Sequence, residues 1–143
     1  MKSAAQILKS KPEQAVETVT PSTSVFDALK RMAEKNIGAL LVMEDAKIAG
    51  IFTERDYARK IVLVGRSSKE TLVGDIMTSP VMFVRPDQSN EECMALMTDK
   101  HVRHLPVVDG GKLIGLISIG DLVKDIISEQ QFVIDQLKQY ITG

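Results

Sequence analysis

The chain repeats itself at a fixed offset of 65 residues. Residues 50–56 read GIFTERD and residues 115–121 read GLISIGD. Val19, Pro21, Ser24, Met32, Lys35, Leu40, Val42, Lys47, Gly50 and Asp56 recur without a gap as Val84, Pro86, Ser89, Met97, Lys100, Leu105, Val107, Lys112, Gly115 and Asp121. That is ten identities in the 39 aligned positions 19–57 and 84–122. Self-similarity at a fixed period marks a repeated supersecondary unit. A single copy of about 60 residues is marginal as a core, so two copies are expected to pack as one domain. The cleft between two such halves is a natural ligand site.

Local signals define each copy. In the first, an extended Val16–Val19 ends at Thr20-Pro21-Ser22-Thr23, and Ser24 caps a helix. Val25, Ala28, Leu29 and Met32 fall at helical spacing, so the helix runs to about Lys35 and is ended by Asn36 and Gly38. Ala39–Met43 and Ile48–Thr53 read as a hairpin about the polar turn Glu44-Asp45-Ala46-Lys47, with a helix after Asp56 to Val64. The second copy predicts a strand at Val81–Val84, a turn at Arg85-Pro86-Asp87, cap Ser89 and helix Asn90–Lys100. Strands Leu105–Val108 and Leu113–Ser118 and a helix from Asp121 follow. Phe132, Ile134, Leu137 and Ile141 mark a carboxy-terminal helical extension. The predicted class is α/β, of the α+β kind, with two β-α-β-β-α repeats. The division is 1–65 for the first repeat with its lead-in, 66–74 for a linker, 75–127 for the second repeat and 128–143 for the extension.

Composition narrows the function classes. Eighteen Lys and Arg against nineteen Asp and Glu give no basic stripe for nucleic acid or acidic membranes. One cysteine, Cys93, excludes an intrachain disulfide and fits a reducing compartment. No apolar run reaches the roughly 18 residues that span a bilayer. MKSAAQILKSK is basic but lacks the apolar stretch and cleavage site of a secretory signal. A cytoplasmic protein is expected. Nothing pairs a nucleophile with a base, and two histidines and one cysteine so scattered make no zinc site, so catalysis is not expected. Gly110-Gly111 is a hairpin turn, without the surroundings of a phosphate loop.

The repeated hydroxyl-x-x-Asp carries two readings. Thr53 with Asp56, and Ser118 with Asp121, have the spacing of an ordinary helix start, in which the first residue caps and the acid favours the dipole. The same aspartate could accept from the two hydroxyls of a ribose, beside backbone N–H groups that suit a phosphate. Two copies in register, each after Gly-apolar-apolar at a strand end, favour ligand binding in at least one.

The motifs GIFTERD and GLISIGD, the strands LLVM and HLPVVD, and the lead-in DIMTSPV closely resemble a cystathionine-β-synthase (CBS) domain pair, the Bateman module, over roughly Ile7 to Ile127. The stretch GIFTERDYARKIVLVGRSSKETLVGDIMT is similar to small stand-alone CBS-pair proteins of bacteria and plant mitochondria. The resemblance implies two repeats related by a pseudo-two-fold axis, a homodimer, and binding of AMP, ADP, ATP, S-adenosylmethionine or NAD without a catalytic cofactor. It implies one site from Ser118 and Asp121 with Glu17, Thr18, Ile37 and Gly38. A second would take Thr53 and Asp56 with Thr78, Met82, Phe83, Val102 and Arg103. Arg103-His104 is the implied phosphate-facing pair, against Gly38-Ala39 in the first repeat, with Arg55 a partial substitute, so the sites should be unequal.

The implied role is a regulatory nucleotide sensor for a protein partner. The alternative is a dimerisation scaffold without a ligand, and nucleic-acid binding is remote given the charge balance. His104 fits a packed, backbone-bonded residue as well as a phosphate contact. His101 reads as a solvated helix end, Cys93 as a small buried hydrophobe, and Met32, Met94 and Met97 as core or dimer-seam filler. Lys9, Lys11 and Lys60 read as solvated.

Overall fold

A computed structural model describes residues 2–12 and 15–142. The elements in order are α1 (Ala4–Ser10), β1 (Thr18–Val19), α2 (Val25–Lys35), β2 (Ala39–Glu44), β3 (Lys47–Thr53), α3 (Glu54–Tyr57), α4 (Val73–Ile76), α5 (Asn90–Lys100), β4 (His104–Asp109), β5 (Lys112–Ser118) and α6 (Ile119–Thr142). A π-helical turn, Ala58–Val62, continues α3. The class is the mixed α/β one that the sequence predicts. The chain forms two compact units: a first unit, Val16–Val81, and a second unit that joins the amino-terminal stretch through Ala15 to everything from Met82 onward.

In the first unit the sheet order is β1-β2-β3, with β1 parallel to β2 and β2 antiparallel to β3. Ser24 Oγ accepts from Asp27 N at 3.1 Å and starts α2, which buries Val25, Ala28 and Met32. Asn36 ends the helix in the left-handed region at φ 54°. The core joins these residues to Val19, Leu40, Val42, Phe52, Ile61, Val73 and Ile76.

The second unit repeats this plan. Ser89 and Glu92 form a reciprocal capping box at the start of α5, which buries Cys93 and Met97. His101 ends it at φ 55°, the same conformation that Asn36 adopts 65 positions earlier. Both hairpins shift register at matching places, Val42/Met43 and Val107/Val108. Their turns pass through positive φ at Asp45-Ala46 and Gly110-Gly111. The core is Ala4, Ile7, Val84, Cys93, Met97, Leu105, Val107, Ile117 and Leu122.

The structure departs from the expected elements in several places. The helices expected from Asp56 and Asp121 begin at Glu54 and Ile119, ahead of the aspartates. The strand expected at Val81–Val84 is a single parallel bridge, Val84 to Val107, with Val84 N donating to Pro106 O at 2.9 Å. The extended Val16–Val19 narrows to Thr18–Val19. Two short helices, α1 and α4, were not anticipated, and each closes the unit that precedes or follows it out of sequence order. Ala4 and Ile7 of α1 enter the second unit's core, and Ser3 bridges Ser89. Val73 and Ile76 of α4 enter the first unit's core, and Leu72 bridges Ser24. The first repeat is thus completed by the lead-in to the second. Four or seven residues carry too few turns for a periodic signal.

Candidate ligand-binding corners

Each unit places its hydroxyl-x-x-Asp motif where the second hairpin strand becomes a helix. At the end of β3, Thr53 is extended (φ −124°, ψ 165°) and its Oγ1 accepts from Asp56 N at 3.2 Å. Asp56 Oδ2 accepts in return from Thr53 N at 3.0 Å and Thr53 Oγ1 at 3.1 Å. At the end of β5, Ser118 Oγ accepts from Asp121 N at 3.2 Å, and Ser118 N donates to Asp121 Oδ2 at 2.8 Å. The helix-start reading of the motif is therefore realised in both copies. A further match fixes the start: Glu54 N donates to Gly38 O at 3.2 Å, and Ile119 N to Arg103 O at 2.8 Å.

The aspartates also meet groups the motif does not contain. Thr78 Oγ1 donates to Asp56 Oδ1 at 2.9 Å, and Lys60 Nζ lies 3.1 Å from the same oxygen. Lys60 also donates to Ile76 O at 2.8 Å, which ties the π-helical turn to α4. Four donors thus converge on the Asp56 carboxylate, two on each oxygen, and a carboxylate offers about four lone-pair sites. In the second unit Lys11 Nζ lies 2.9 Å from Asp121 Oδ2 and donates to Leu116 O at 2.9 Å. Lys11 and Lys60 are therefore carboxylate partners, which corrects their reading as solvated residues. Lys60 was legible as the i+4 neighbour of Asp56 on a helix. Lys11, 110 positions from Asp121, left no local trace.

Close approach positions both corners, by backbone and side chain at Gly50 and by the Leu8 side chain at Gly115, and the motif glycines allow it. A Cβ at Gly50 would lie 2.6 Å from Met77 Sδ and 2.9 Å from Thr78 O. The missing side chain lets Thr78 bridge Ile51 through paired backbone hydrogen bonds of 2.9 and 3.0 Å. At Gly115 a Cβ would lie 2.6 Å from both methyl carbons of Leu8 on α1.

Of the other residues expected at a site, His104 stands opposite Ser118 on the paired strands. Burial is the largest influence on its imidazole and pushes the pKa below 6.5. Asp121 opposes that shift, whereas Lys11 and Arg103 add to it. The first unit brings together Thr53, Asp56, Thr78 and the Gly38 carbonyl. Ile37 packs against the first unit's core, and Val102 against that of the second. Glu17 faces Lys35 at 3.7 Å, and Thr18 gives its carbonyl to Arg31 at 2.6 Å. Arg55, Phe83 and the Arg103 side chain are exposed.

The bland readings of Cys93 and His101 match the structure. Cys93 is fully buried, and burial first, then Glu92, pushes its thiol up. His101 is the exposed left-handed residue that ends α5. Among the described residues no group of three or more His, Cys, Asp or Glu could hold a metal ion. Among the same residues no helix is long and apolar enough to cross a membrane.

Residues 5–63 and 73–128 each match the family model of the CBS domain. The chain belongs to the CBS domain family. It is 43% identical over 145 residues to the CBS domain-containing protein CBSX3, mitochondrial, of Arabidopsis thaliana, covering 96% of this chain and 70% of the relative. A solved protein with CBS domains from Burkholderia ambifaria MC40-6 is similar at a TM-score of 0.87 and 62% identity, over 90% of this chain and 96% of that one. The crystal structure of CBSX2 in complex with AMP is similar at a TM-score of 0.75 and 30% identity, over 91% and 99% of the two chains. The 65-residue echo is thus a pair of CBS repeats, and GIFTERD and GLISIGD open the last helix of each.

Proposed function

We propose that this CBS pair is a regulatory module that binds an adenosine-containing ligand, of the AMP, ADP, ATP or NAD class, with Asp56 and Asp121 as its ribose acceptors. The observation that carries this reading is the same corner built twice: an aspartate held by a capping box at a helix start, with a lysine seated on its carboxylate. A ribose diol is a pair of donors, and it can take the lone pairs that the lysine occupies. The released ammonium then has an anion to follow, because the ligand brings phosphate to the same helix start. The AMP complex of CBSX2 supports the ligand class.

The corners are unequal in this reading. At Asp56 both Thr78 and Lys60 must yield lone pairs, since all four are engaged. At Asp121 the Ser118 amide and Lys11 meet the same oxygen, Oδ2, which leaves Oδ1 the natural acceptor. The Asp121 corner is the tighter one. Arg103 and His104, the phosphate-facing pair that the resemblance implies for the Asp56 site, are assigned instead to this corner, because Ile119 N donates to Arg103 O and His104 pairs with Ser118. Binding signals by favouring one conformation or assembly of the protein over another, and a homodimer is the assembly proposed.

Titration calorimetry with AMP, ATP, NAD and S-adenosylmethionine tests this. Heat is expected for at least one ligand, weakened by Asp121→Asn more than by Asp56→Asn. Absence of heat for every ligand at millimolar concentration sinks the reading. The second reading, a scaffold without a ligand, is favoured by one observation: both capping boxes are complete with the protein's own donors. It wins if no adenosine ligand raises the melting temperature.

A further inference from the structure

We infer that the exposed part of α6 is a parallel two-stranded coiled-coil seam for a second copy of this chain. The helix is 24 residues long, and its buried residues, Leu122 and Asp125, both lie in its first two turns. From Ile127 to Thr142 every residue is exposed. Those 16 residues extend about 24 Å at 1.5 Å per residue. An isolated helix of this length is marginal in water, so a stable one needs a face to bury.

The spacing of its seam residues fits a partner helix. The apolar Val123, Ile127, Ile134, Leu137 and Ile141, with the polar Gln130 between them, follow one another at 4, 3, 4, 3 and 4 residues. A strict 3.5-residue repeat keeps one seam facing a partner helix, whereas packing onto a globular surface calls only for the 3.6 period. Ile127, Ile134 and Ile141 take the first core position of the heptad, and Val123, Gln130 and Leu137 the other. β-Branched residues at the first with Leu at the second favour two parallel strands. The single Gln130 would face its own copy, where two side-chain amides can hydrogen-bond to each other. This seam stands rather more than about a third of a turn around the helix from the line through Leu122 and Asp125, so those contacts need not break.

The area is sufficient. Ile127, Ile134, Leu137 and Ile141 are 59, 45, 57 and 79% exposed, and the flanking Val133 and Tyr140 50 and 88%. Together they leave on the order of 700 Å² of apolar side chain in water, close to the ~800 Å² per partner of a standard interface. A monomer rarely tolerates so large a patch. The flanking positions that meet across such a pair set Ile126 against Gln131 and Val133 against Lys138, so no like charges oppose.

Light scattering on the full chain tests the seam, with two kinds of variant. Ile134→Lys with Leu137→Lys lies outside both cores, and it should halve the native mass while leaving the circular dichroism of the units intact. Leu137→Cys should give a covalent dimer with a short thiol-reactive linker, and Phe132→Cys, on the opposite face of the helix, should not. A native chain that is monomeric, a mass unchanged by the double lysine variant, or equal linking from both cysteines overturns the inference. A monomer that sediments with anionic lipid vesicles would assign the face to a membrane instead and would equally overturn it.

Discussion

Lys11 Nζ stands 2.9 Å from Asp121 Oδ2 and draws the end of the amino-terminal helix to a motif 110 residues away. The matching corner uses Lys60, four residues beyond Asp56 on the same helical stretch. One corner is thus closed by a distant segment and the other by a local pair, although the motifs are equivalent.

This difference makes Lys11 a discriminator of ligand charge. In Lys11→Met the carboxylate loses its resident donor, so adenosine, which carries no phosphate, should bind at least as tightly as to the native protein. AMP and ATP lose the ammonium that would follow the phosphate, and a charge-assisted hydrogen bond is worth about 1.5–3 kcal/mol. Their affinity should therefore fall about 10- to 100-fold. Calorimetry with adenosine and ATP on both proteins reads the contrast, and a parallel loss for both ligands would reject it.

The two motif glycines should not tolerate alanine equally. At Gly50 the added Cβ meets the Thr78 carbonyl as well as Met77, and backbone cannot give way cheaply. At Gly115 the three nearest atoms all belong to the Leu8 side chain. Gly50→Ala should cost about 2–3 kcal/mol in urea denaturation, in the overpacking range. Gly115→Ala should cost less and be largely rescued by Leu8→Ala, which returns the space. Equal costs with no rescue would mean that these contacts do not set the glycines.

Ala46 sits at φ 64° in the turn where the second repeat has Gly111 at φ 83°. A left-handed conformation costs an L-residue roughly 1–2 kcal/mol, and glycine's larger unfolded-state entropy returns about 0.4–1 kcal/mol of any gain. Ala46→Gly should therefore stabilise the protein by roughly 0.5 kcal/mol, a small rise in denaturation midpoint without a change in slope. A lowered midpoint would refute this.

Stability should fall with acid through His104. Its folded-state pKa lies below the ordinary 6.5 because burial disfavours the imidazolium. The unfolded chain then binds the proton more readily, so stability is fully present above about pH 6.5 and declines below it, down to the depressed folded-state value. Melting temperatures from pH 7.5 to 5.5 should drop for the native protein and drop less for His104→Gln. Parallel curves would remove His104 as the cause.

Much of this was legible because it is local. Ser24 and Ser89 announce helix starts by their caps. Met32 and Met97 mark the buried face of equivalent helices, and Gly110-Gly111 marks a hairpin. Asn36 signals its left-handed helix end by itself, and the 65-residue repeat carries that reading to His101. The strand expected at Val81–Val84 shrank to the Val84 bridge because apolar composition does not say whether a partner edge is long enough to pair with. Lys60 could have been paired with Asp56 by its spacing; Lys11 could not have been paired with anything.

By itself the sequence determined the repeat, the capped starts of α2 and α5, both hairpins and the two aspartates at equivalent corners. These follow from capping at three-residue spacing, from periods of 2 and 3.6, and from a 65-residue echo, all written within or between adjacent stretches of chain. Only the tertiary structure decided that α1 completes the second repeat and α4 the first, that Gly50 and Gly115 are small because a lead-in crosses them, and that Lys11 closes the corner at Asp121. Those contacts depend on which distant surfaces meet, and free energy gained there leaves no periodic mark on the residues that supply it.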